Sequence, residues 1–137
     1  MMELIKLVDF PVLGDDRGSL LALEGNKSIP FDIKRIYYIY GTQEGVARGF
    51  HAHKKLKQVA ICLDGSCRFV MDNGVEKADV VLNSPSQGLL IDTMQWHEMY
   101  DFSSDCILLV LASDIYDEAD YIRSYEQFIK ESSNVRI

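Results

Sequence analysis

The three histidines of this chain are the residues whose type and spacing best suit chemistry. His51 and His53 are separated by one alanine, and His97 follows Trp96 later in the chain. Residues two apart on a β-strand point to the same face, so the side chains of His51 and His53 are predicted to project together. If that face lines a barrel, both imidazoles enter one cavity.

Clustered histidines can ligate a transition metal or transfer protons near neutral pH. The spacing from His53 to Gln58 and on to Gly65 resembles the first cupin motif from its histidines onward, and the stretch from Pro85 to His97 loosely resembles the second. The first motif carries glutamate where this chain has Gln58, and a neutral amide supplies no anionic ligand to a divalent ion. We therefore favour proton transfer, with a metal site of three histidines and Gln58 as the alternative.

A simpler interpretation makes His51 and His53 ordinary barrel residues whose nitrogens bond to neighbouring hydroxyl groups. One isolated histidine would favour that interpretation. Here Arg48 lies close to the pair, so several polar groups are concentrated in a predicted interior. Buried polar groups cost stability unless they are paired, and this concentration therefore favours a functional cavity.

Composition restricts the partners and the compartment. The 137 residues suit one domain covering 1–137, and the formal net charge of −7 disfavours a nucleic-acid backbone as partner. Three cysteines among apolar residues predict core packing without a disulfide framework. The sequence shows neither a signal peptide nor an apolar run long enough for a membrane span, so a cytoplasmic location is expected.

Short segments rich in branched and aromatic residues, separated by turn-forming residues, predict an all-β protein. The predicted strands are Ile5–Leu7, Ser19–Glu24, Lys34–Tyr40, Arg48–Lys54, Gln58–Asp64, Ser66–Asp72, Gly74–Leu82, Gly88–Ile91, His97–Phe102 and Cys106–Ser113. The Asn73-Gly74 pair predicts a two-residue hairpin, and a second turn is expected at Asp64-Gly65.

The hydrophobic period changes to a helical one after Asp117. Tyr121, Ile122, Tyr125 and Phe128 recur at helical spacing, which predicts a C-terminal helix that Asp117 caps and that covers the barrel or a partner subunit. The acidic residues at its start are interpreted as capping and solvated charge instead of a site; they are Asp114, Asp117, Glu118 and Asp120.

A longer run around the two histidines resembles one enzyme family. Arg48–Lys55, with the sequence RGFHAHKK, is similar to the signature of the dTDP-4-keto-6-deoxyglucose 3,4-ketoisomerases. Further matches extend along nearly the whole chain, at Asp16–Leu20, Ile33–Ile39, Trp96–Met99, Leu111–Asp114, Tyr116–Glu118 and Asp120–Arg123.

This resemblance implies a cupin-type jelly-roll β-barrel with a C-terminal helix. The implied enzyme is metal-free, uses no cofactor and is a homodimer. Its implied substrate is dTDP-4-keto-6-deoxy-D-glucose, whose carbonyl moves from C4 to C3 to give a dTDP-3-keto-6-deoxyhexose for deoxyamino-sugar biosynthesis. Exchange of an N-terminal strand or the C-terminal helix between subunits is a further hypothesis, because a small barrel has edge strands to protect.

Moving the carbonyl requires removal of the C3 proton and delivery of a proton to C4 through an enediol or enediolate. We expect His51 to be the C3 base and His53 to move protons between the oxygens or to C4. Arg17, Tyr37 and His97 are the candidate donors to the developing negative charge. Tyr37 lies in an aromatic run that packing alone would also explain.

The expected diphosphate ligand is Arg48, because a planar guanidinium suits phosphate oxygens. Arg35 is the second choice, although a solvated or interfacial charge would explain it almost as well. Gln58 and Met99 complete the predicted substrate-binding residues. Residue spacing does not determine which face of C4 receives the proton.

Three other functions remain open from the residues. A metal-dependent cupin enzyme would use the three histidines and Gln58. A non-catalytic cupin would bind a sugar nucleotide without turnover. A 3,5-epimerase would act on the same substrate, but its base works with a tyrosine acid on the opposite ring face, which the two-histidine pattern fits less well.

Overall fold

The protein is described by a computed structural model covering residues 4–135. These residues form twelve strands, a short 3-10 turn and one α-helix. In chain order the strands are β1 Lys6–Asp9, β2 Leu13–Asp15, β3 Gly18–Leu20, β4 Arg35–Ile39, β5 Arg48–His53, β6 Gln58–Asp64, β7 Cys67–Asp72, β8 Lys77–Leu82, β9 Gln87–Ile91, β10 Trp96–Tyr100, β11 Ile107–Ala112 and β12 Tyr121–Ile122. The 3-10 turn is Glu118–Asp120, and helix α1 is Tyr125–Val135.

Two five-stranded antiparallel sheets face each other. The first has the order β1-β9-β6-β11-β4 and the second the order β12-β5-β10-β7-β8. Apolar side chains of both sheets form one core, in which Ala60 and Leu108 of the first sheet meet Phe69 and Met71 of the second. The core is therefore the space between the sheets, and the inward-facing residues of each strand determine what that space contains.

Each sheet is also covered on part of its outer face. Strand β6 is buried at consecutive positions because Val59 and Ile61 pack outward against Phe10, Ile29 and Phe31. Such two-sided burial removes the alternation of apolar and polar residues that a half-exposed strand shows.

Helix α1 covers the outer face of the second sheet, where Phe128 packs with Ala52, Trp96 and Ile122. The predicted all-β, cupin-type jelly-roll architecture with a C-terminal helix is confirmed. Within residues 4–135, none of the helices is long and apolar enough to cross a membrane.

The predicted start of the C-terminal helix is wrong. Asp117 does cap a helix, since its side chain accepts from the backbone N–H of Ala119, but that helix is the short 3-10 turn. Tyr121 and Ile122 then pair with β5, opposite His53 and Ala52. Pairing with an existing edge satisfies the backbone of this segment, so tertiary contacts override its helical spacing.

Two other local predictions also differ from the structure. Asp72 pairs with Lys77, so a four-residue loop replaces the predicted two-residue hairpin. The Asn73 side chain accepts from the backbone N–H groups of Val75 and Glu76 and so stabilises the longer loop. The strand predicted over Ser19–Glu24 ends at Leu20, because the following residues cover the first sheet and do not extend the hairpin.

Candidate active site

Antiparallel pairing of β5 with β10 brings the early and late histidines together. His97 lies opposite His51 in the register, and an irregularity follows between His97 and Glu98. Gly49 accommodates this irregularity with a φ of +92°, and a Cβ atom there would lie 3.0 Å from the carbonyl oxygen of His97. A glycine before the two histidines is thus required by local geometry.

The three imidazoles form one compact cluster. The ring centroid of His51 lies 5.1 Å from that of His53 and 4.5 Å from that of His97. The centroids of His53 and His97 are 6.1 Å apart. His53 and His97 are each 2% exposed. The structure therefore brings all three predicted histidines together in the interior.

A cavity of about 300 Å³ opens beside the cluster. It is lined by Tyr37, Ile39, Arg48, Gly49, His51, Gln58, Phe69, Ile91, His97, Met99, Val110 and Arg123. A cavity of this size, with apolar walls and a few polar groups, is typical of small-molecule sites. Six of the predicted site residues line it: Tyr37, Arg48, His51, Gln58, His97 and Met99.

Burial makes the imidazoles weak bases. It lowers the pKa of His51 below its ordinary value. Burial lowers the pKa of His53 to about 4 and the pKa of His97 to about 3, and repulsion from a protonated His51 adds to the effect of burial. All three rings are consequently neutral at pH 7, and a neutral imidazole can accept a proton.

Several buried nitrogen atoms have no hydrogen-bond partner among the described residues. They include Nδ1 of His51, Nε2 of His53 and Nε of Arg35. An unsatisfied buried polar atom costs about 1–3 kcal/mol, which a protein tolerates at positions where a ligand supplies the partner. The nitrogens of His51 and His53 without a partner are therefore available to a bound molecule.

The glutamine that replaces the motif glutamate holds Tyr37. Nε2 of the buried Gln58 donates to the hydroxyl oxygen of Tyr37 over 2.7 Å. Because that oxygen accepts from Gln58, the Tyr37 O–H proton can be donated to a ligand. Burial raises the pKa of Tyr37, which keeps the hydroxyl protonated at neutral pH.

Asp120 is a site residue that the sequence interpretation missed. Its Oδ2 lies 3.3 Å from Nδ1 of His53. Its two carboxylate oxygens also accept from the backbone N–H groups of Lys55 and Leu56. Although Asp120 lies within the stretch that resembles the ketoisomerases, its helical context assigned it to capping.

Two further residues near the cluster were also missed. The Tyr121 ring packs against the imidazoles of His53 and His51, at centroid distances of 4.3 and 5.1 Å. Arg123 lines the cavity, stacks on Tyr121 and pairs with Glu118 over 2.9 Å. Both residues reach the site through the pairing of β12 with β5, which local spacing did not show.

Three of the nine predicted site residues do not line this cavity: His53, Arg35 and Arg17. Arg35 stacks over the Tyr37 ring at 5.2 Å and lines a smaller adjoining cavity with His53 and Asp120. Arg17 lies at the tip of the β2–β3 hairpin with its side chain 90% exposed, paired with Asp15. Within one chain, the structure therefore does not bring Arg17 to the histidines.

The histidine cluster can also be considered as a metal site. One nitrogen from each of the three rings lies within 4.8 Å of the others, close enough to surround one ion. Gln58 supplies a neutral oxygen at best, and its amide already holds Tyr37. The donor set thus suits an ion that accepts neutral nitrogen ligands.

Comparison with known proteins gives a consistent result over the whole fold. The family profile described as "FdtA: WxcM-like, C-terminal" matches residues 3–133. A TDP-4-oxo-6-deoxy-alpha-D-glucose-3,4-oxoisomerase of Aneurinibacillus thermoaerophilus is 53% identical over 132 residues, which cover 96% of this chain and 95% of the relative.

Two solved structures of the 3,4-ketoisomerase QdtA from Thermoanaerobacterium thermosaccharolyticum are similarly close. Its H51N mutant, in complex with TDP-4-keto-6-deoxyglucose, is 46% identical with a TM-score of 0.94, covering 98% of this chain and 97% of that one. A double mutant in complex with TDP is 47% identical, also with a TM-score of 0.94, covering 98% of each chain. That double mutant replaces tyrosine 17 with arginine and arginine 97 with histidine, which are the residue types that this chain carries at the same numbers.

Proposed function

Because the chain belongs to the FdtA family of sugar-nucleotide 3,4-ketoisomerases, we propose that its cavity isomerises TDP-4-keto-6-deoxyglucose by proton transfer between histidines. The 3,4-ketoisomerase reaction moves a carbonyl along the sugar ring with no net change in composition. Side chains of the cavity must therefore remove one carbon-bound proton and add another. His51 and His97 line the main cavity, and His53 lies behind them, with ring centroids 5.1 Å apart for His51 and His53.

The proposed reaction begins at C3. His51 accepts the C3 proton, and the electron pair of that C–H bond forms the C3–C4 double bond of an enediolate, with negative charge on the C4 oxygen. His53 then moves protons, directly or through water, so that the C3 hydroxyl loses its proton while C4 and the C4 oxygen each gain one, the second proton coming from the protonated His51. The carbonyl is thereby left at C3, and both imidazoles return to the neutral state.

Tyr37 stabilises the enediolate in this scheme, and His97 orients the sugar. Tyr37 donates its O–H proton, since its oxygen is already held by Gln58. His97, predicted as a donor, lies against His51 inside the same cavity, but its pKa of about 3 leaves the ring neutral with a single N–H. Its Nδ1 lies 3.2 Å from the Gln95 carbonyl oxygen and donates to it, so Nε2 can only accept a hydrogen bond from the sugar. Donors fixed in a partly dry cavity stabilise developing charge more strongly than water does.

The nucleotide end of the substrate is assigned to Arg48 and the groove beyond it. Arg48 lines both the main cavity and a neighbouring groove of about 250 Å³, which is also lined by Tyr40, Thr42 and Phe102. A guanidinium at the boundary suits a diphosphate that joins the sugar to the nucleoside. The sugar would then lie beside the histidines and the nucleoside in the groove.

We further propose a homodimer in which the β2–β3 hairpin crosses to the partner subunit. All six residues of these strands are exposed, and the two strands pair with each other alone in the described sheets. Leu13 and Leu20 are 57% and 59% exposed, which indicates apolar surface that a partner covers. An exchanged hairpin would carry Arg17 toward the partner's cavity.

The dimer can be tested by light scattering. The expected mass is about 31 kDa, twice the 15.6 kDa of one chain. A Leu13→Asp/Leu20→Asp variant should become monomeric and lose activity, because charge replaces the apolar contact. Val75→Asp, at an exposed loop position, is the matched control and should remain dimeric. A monomeric wild-type protein with full activity would contradict the exchange.

The observation that carries the proposed function is the cluster of three neutral imidazoles beside a sugar-sized cavity, in which His51 and His53 have ring nitrogens without a partner among the described residues. We would incubate chelator-treated protein with TDP-4-keto-6-deoxyglucose in deuterium oxide and follow C3 and C4 by NMR. Carbonyl migration with deuterium at C4 is expected without added metal. Nucleotide binding without any exchange would indicate a binding protein instead.

The second candidate function is a metal-dependent cupin enzyme, which the mutual proximity of the three histidine nitrogens favours. The same NMR experiment distinguishes it. Exchange that begins when a transition metal is restored, and is absent before, would support the metal enzyme and contradict the proposed mechanism.

Asp120→Asn tests how His53 is positioned. The Asp120 charge raises the pKa of His53 against the stronger effect of burial, so its removal should lower that pKa further. We expect kcat to fall by roughly 10–100-fold, less than the loss of a direct proton-transfer group. The part of the pH–rate profile that reports His53 should move to lower pH.

The matched control for this variant is Asp117→Asn. Its side chain caps the 3-10 turn, and asparagine is an equally good cap. Thermal melts of both variants separate stability from catalysis, since Asp120 also accepts two backbone N–H groups. An Asp120→Asn variant with lower stability but an unchanged pH profile would show a purely structural role.

A further inference from the structure

We propose that Cys62, Cys67 and Cys106 form a binding site for a soft, thiophilic metal ion of the Cu(I) class, distinct from the histidine cluster. The proposal does not depend on the isomerase mechanism. It concerns a group of ligating side chains that the proposed reaction leaves unused.

The three cysteines come from separate segments that meet at one end of the core. Cys62 lies near the end of β6, Cys67 begins β7, and Cys106 immediately precedes β11. Their sulfur atoms all lie within 4.8 Å of one another, and the sulfurs of Cys62 and Cys106 are 3.7 Å apart. The arrangement depends on the fold, since more than forty positions separate Cys62 from Cys106.

The sulfur–sulfur spacing matches three-coordinate binding. A metal–sulfur bond of about 2.3 Å, as in zinc–thiolate sites, places the sulfurs of a planar three-ligand site about 4 Å apart. The observed 3.7 Å pair therefore needs a shift of a few tenths of an ångström. A disulfide would need a sulfur–sulfur distance of about 2.0 Å and thus a larger movement.

The surroundings select the type of ion. The three cysteines are at most 1% exposed, and they share their cluster with Phe69, Phe102 and Leu108. Among the described residues, the side chains grouped here that could bind a metal are the three thiols. Sulfur ligands select soft ions such as Cu(I) over Mg²⁺ or Ca²⁺, and structural Zn²⁺ sites use four ligands.

The loops above the cysteines form a rigid cover. The backbone N–H of Ser66 donates to the Ser103 hydroxyl, and the backbone N–H of Ser103 donates to the Ser66 carbonyl. A Cβ atom at Gly65 would lie 2.2 Å from the Ser103 hydroxyl oxygen, so these two loops are in close contact. Such packing preorganises the sulfurs and requires local opening for an ion to enter.

Binding is an exchange of protons for the ion. Three metal–sulfur bonds form, and the S–H bonds of the thiols that bind as thiolates break. Their protons go to solvent, and no electron is transferred. The contact from the Cys62 thiol to the Asp64 carbonyl, 3.1 Å long, is lost when that thiol is deprotonated.

The test uses the reduced, chelator-treated full-length chain under anaerobic conditions, titrated with Cu(I) in competition with bicinchoninate. One Cu(I) per chain is expected, with sulfur-to-copper charge-transfer absorption in the ultraviolet. Cys106→Ser should weaken binding by at least about 100-fold, since even the loss of an outer-shell partner costs 10–100-fold. His97→Asn is the control for location and should bind Cu(I) as the wild type does.

X-ray absorption on the wild-type complex keeps the proposal testable if the cysteine variant does not fold. Three sulfur neighbours at about 2.3 Å would support the site. Nitrogen neighbours, an affinity that falls in His97→Asn but not in Cys106→Ser, or Zn²⁺ bound more tightly than Cu(I) would each overturn it.

Discussion

Replacing His51 with asparagine is expected to lower kcat by about 10³-fold, within the range found when a general base is removed. Asparagine occupies a similar volume and keeps a polar group at the cavity wall, but its amide does not accept a carbon-bound proton at neutral pH. His51 is the imidazole nearest to His97, and it lines the cavity directly. The C3 proton should therefore remain on the substrate.

Deuterium exchange distinguishes the role of His51 from that of His53. In deuterium oxide, His51→Asn should lose exchange at C3, whereas His53→Asn should retain C3 exchange and form product slowly. Calorimetric titration with TDP should give similar affinities for the wild type and both variants, because the diphosphate is assigned to Arg48. If His53→Asn abolished C3 exchange and His51→Asn preserved it, the two roles would be reversed.

The second large effect is expected on the configuration of the product. The double change Arg17→Tyr/His97→Arg should shift the C4 configuration of the 3-keto product toward the opposite epimer. These substitutions place in this chain the residue types that the double mutant of QdtA replaced. The prediction follows from the proposed reaction, in which the donors around C4 determine the face that receives the proton.

The physical reason lies at His97. The neutral imidazole of His97 is fully buried against His51. Arginine there would be longer and permanently charged. It would therefore shift the enediolate relative to the groups that deliver the proton to C4. Arg17 contributes in the proposed dimer, where the exchanged hairpin brings it to the partner's cavity. Shifts of about an ångström are enough to redirect such a reaction.

The measurement is the ratio of the two C4 epimers by NMR, after trapping the 3-keto products by reduction. The single variants Arg17→Tyr and His97→Arg should each give intermediate ratios or low turnover. Tyr38→Phe, at an outward-facing position of β4, serves as a control with an unchanged ratio. An unaltered epimer from an active double variant would show that these two positions do not select the face.

The sequence determined the features that depend on local periodicity. Alternation along β5 places His51 and His53 on one side of their strand, because side chains repeat every two residues whatever the rest of the fold does. The spacing from His53 to Gln58 marked the start of the next strand correctly. Turn residues and branched residues were enough to identify most strands of the two sheets.

Tertiary structure decided which distant residues lie beside His51 and His53. His97 reaches His51 through the register of β10 on β5, and Asp120 reaches His53 because β12 pairs with the same strand. Tyr121 and Ile122 lie at helical spacing from Tyr125 and Phe128, so their local pattern indicated a helix where strand pairing stabilises β12. No local signal encodes such pairing, because its energy comes from backbone hydrogen bonds between segments far apart in the chain.

Contacts between distant segments also explain why the sequence did not predict the surroundings of the cysteines and of Arg17. The sequence identified three cysteines among apolar residues as core residues, but the meeting of β6, β7 and the residue before β11 placed their sulfurs within 4.8 Å. Arg17 lies in a stretch that resembles the family, yet it sits on an exposed hairpin. Local periodicity fixes the face on which a side chain lies; the packing of sheets, and in the proposed dimer of subunits, decides what that face meets.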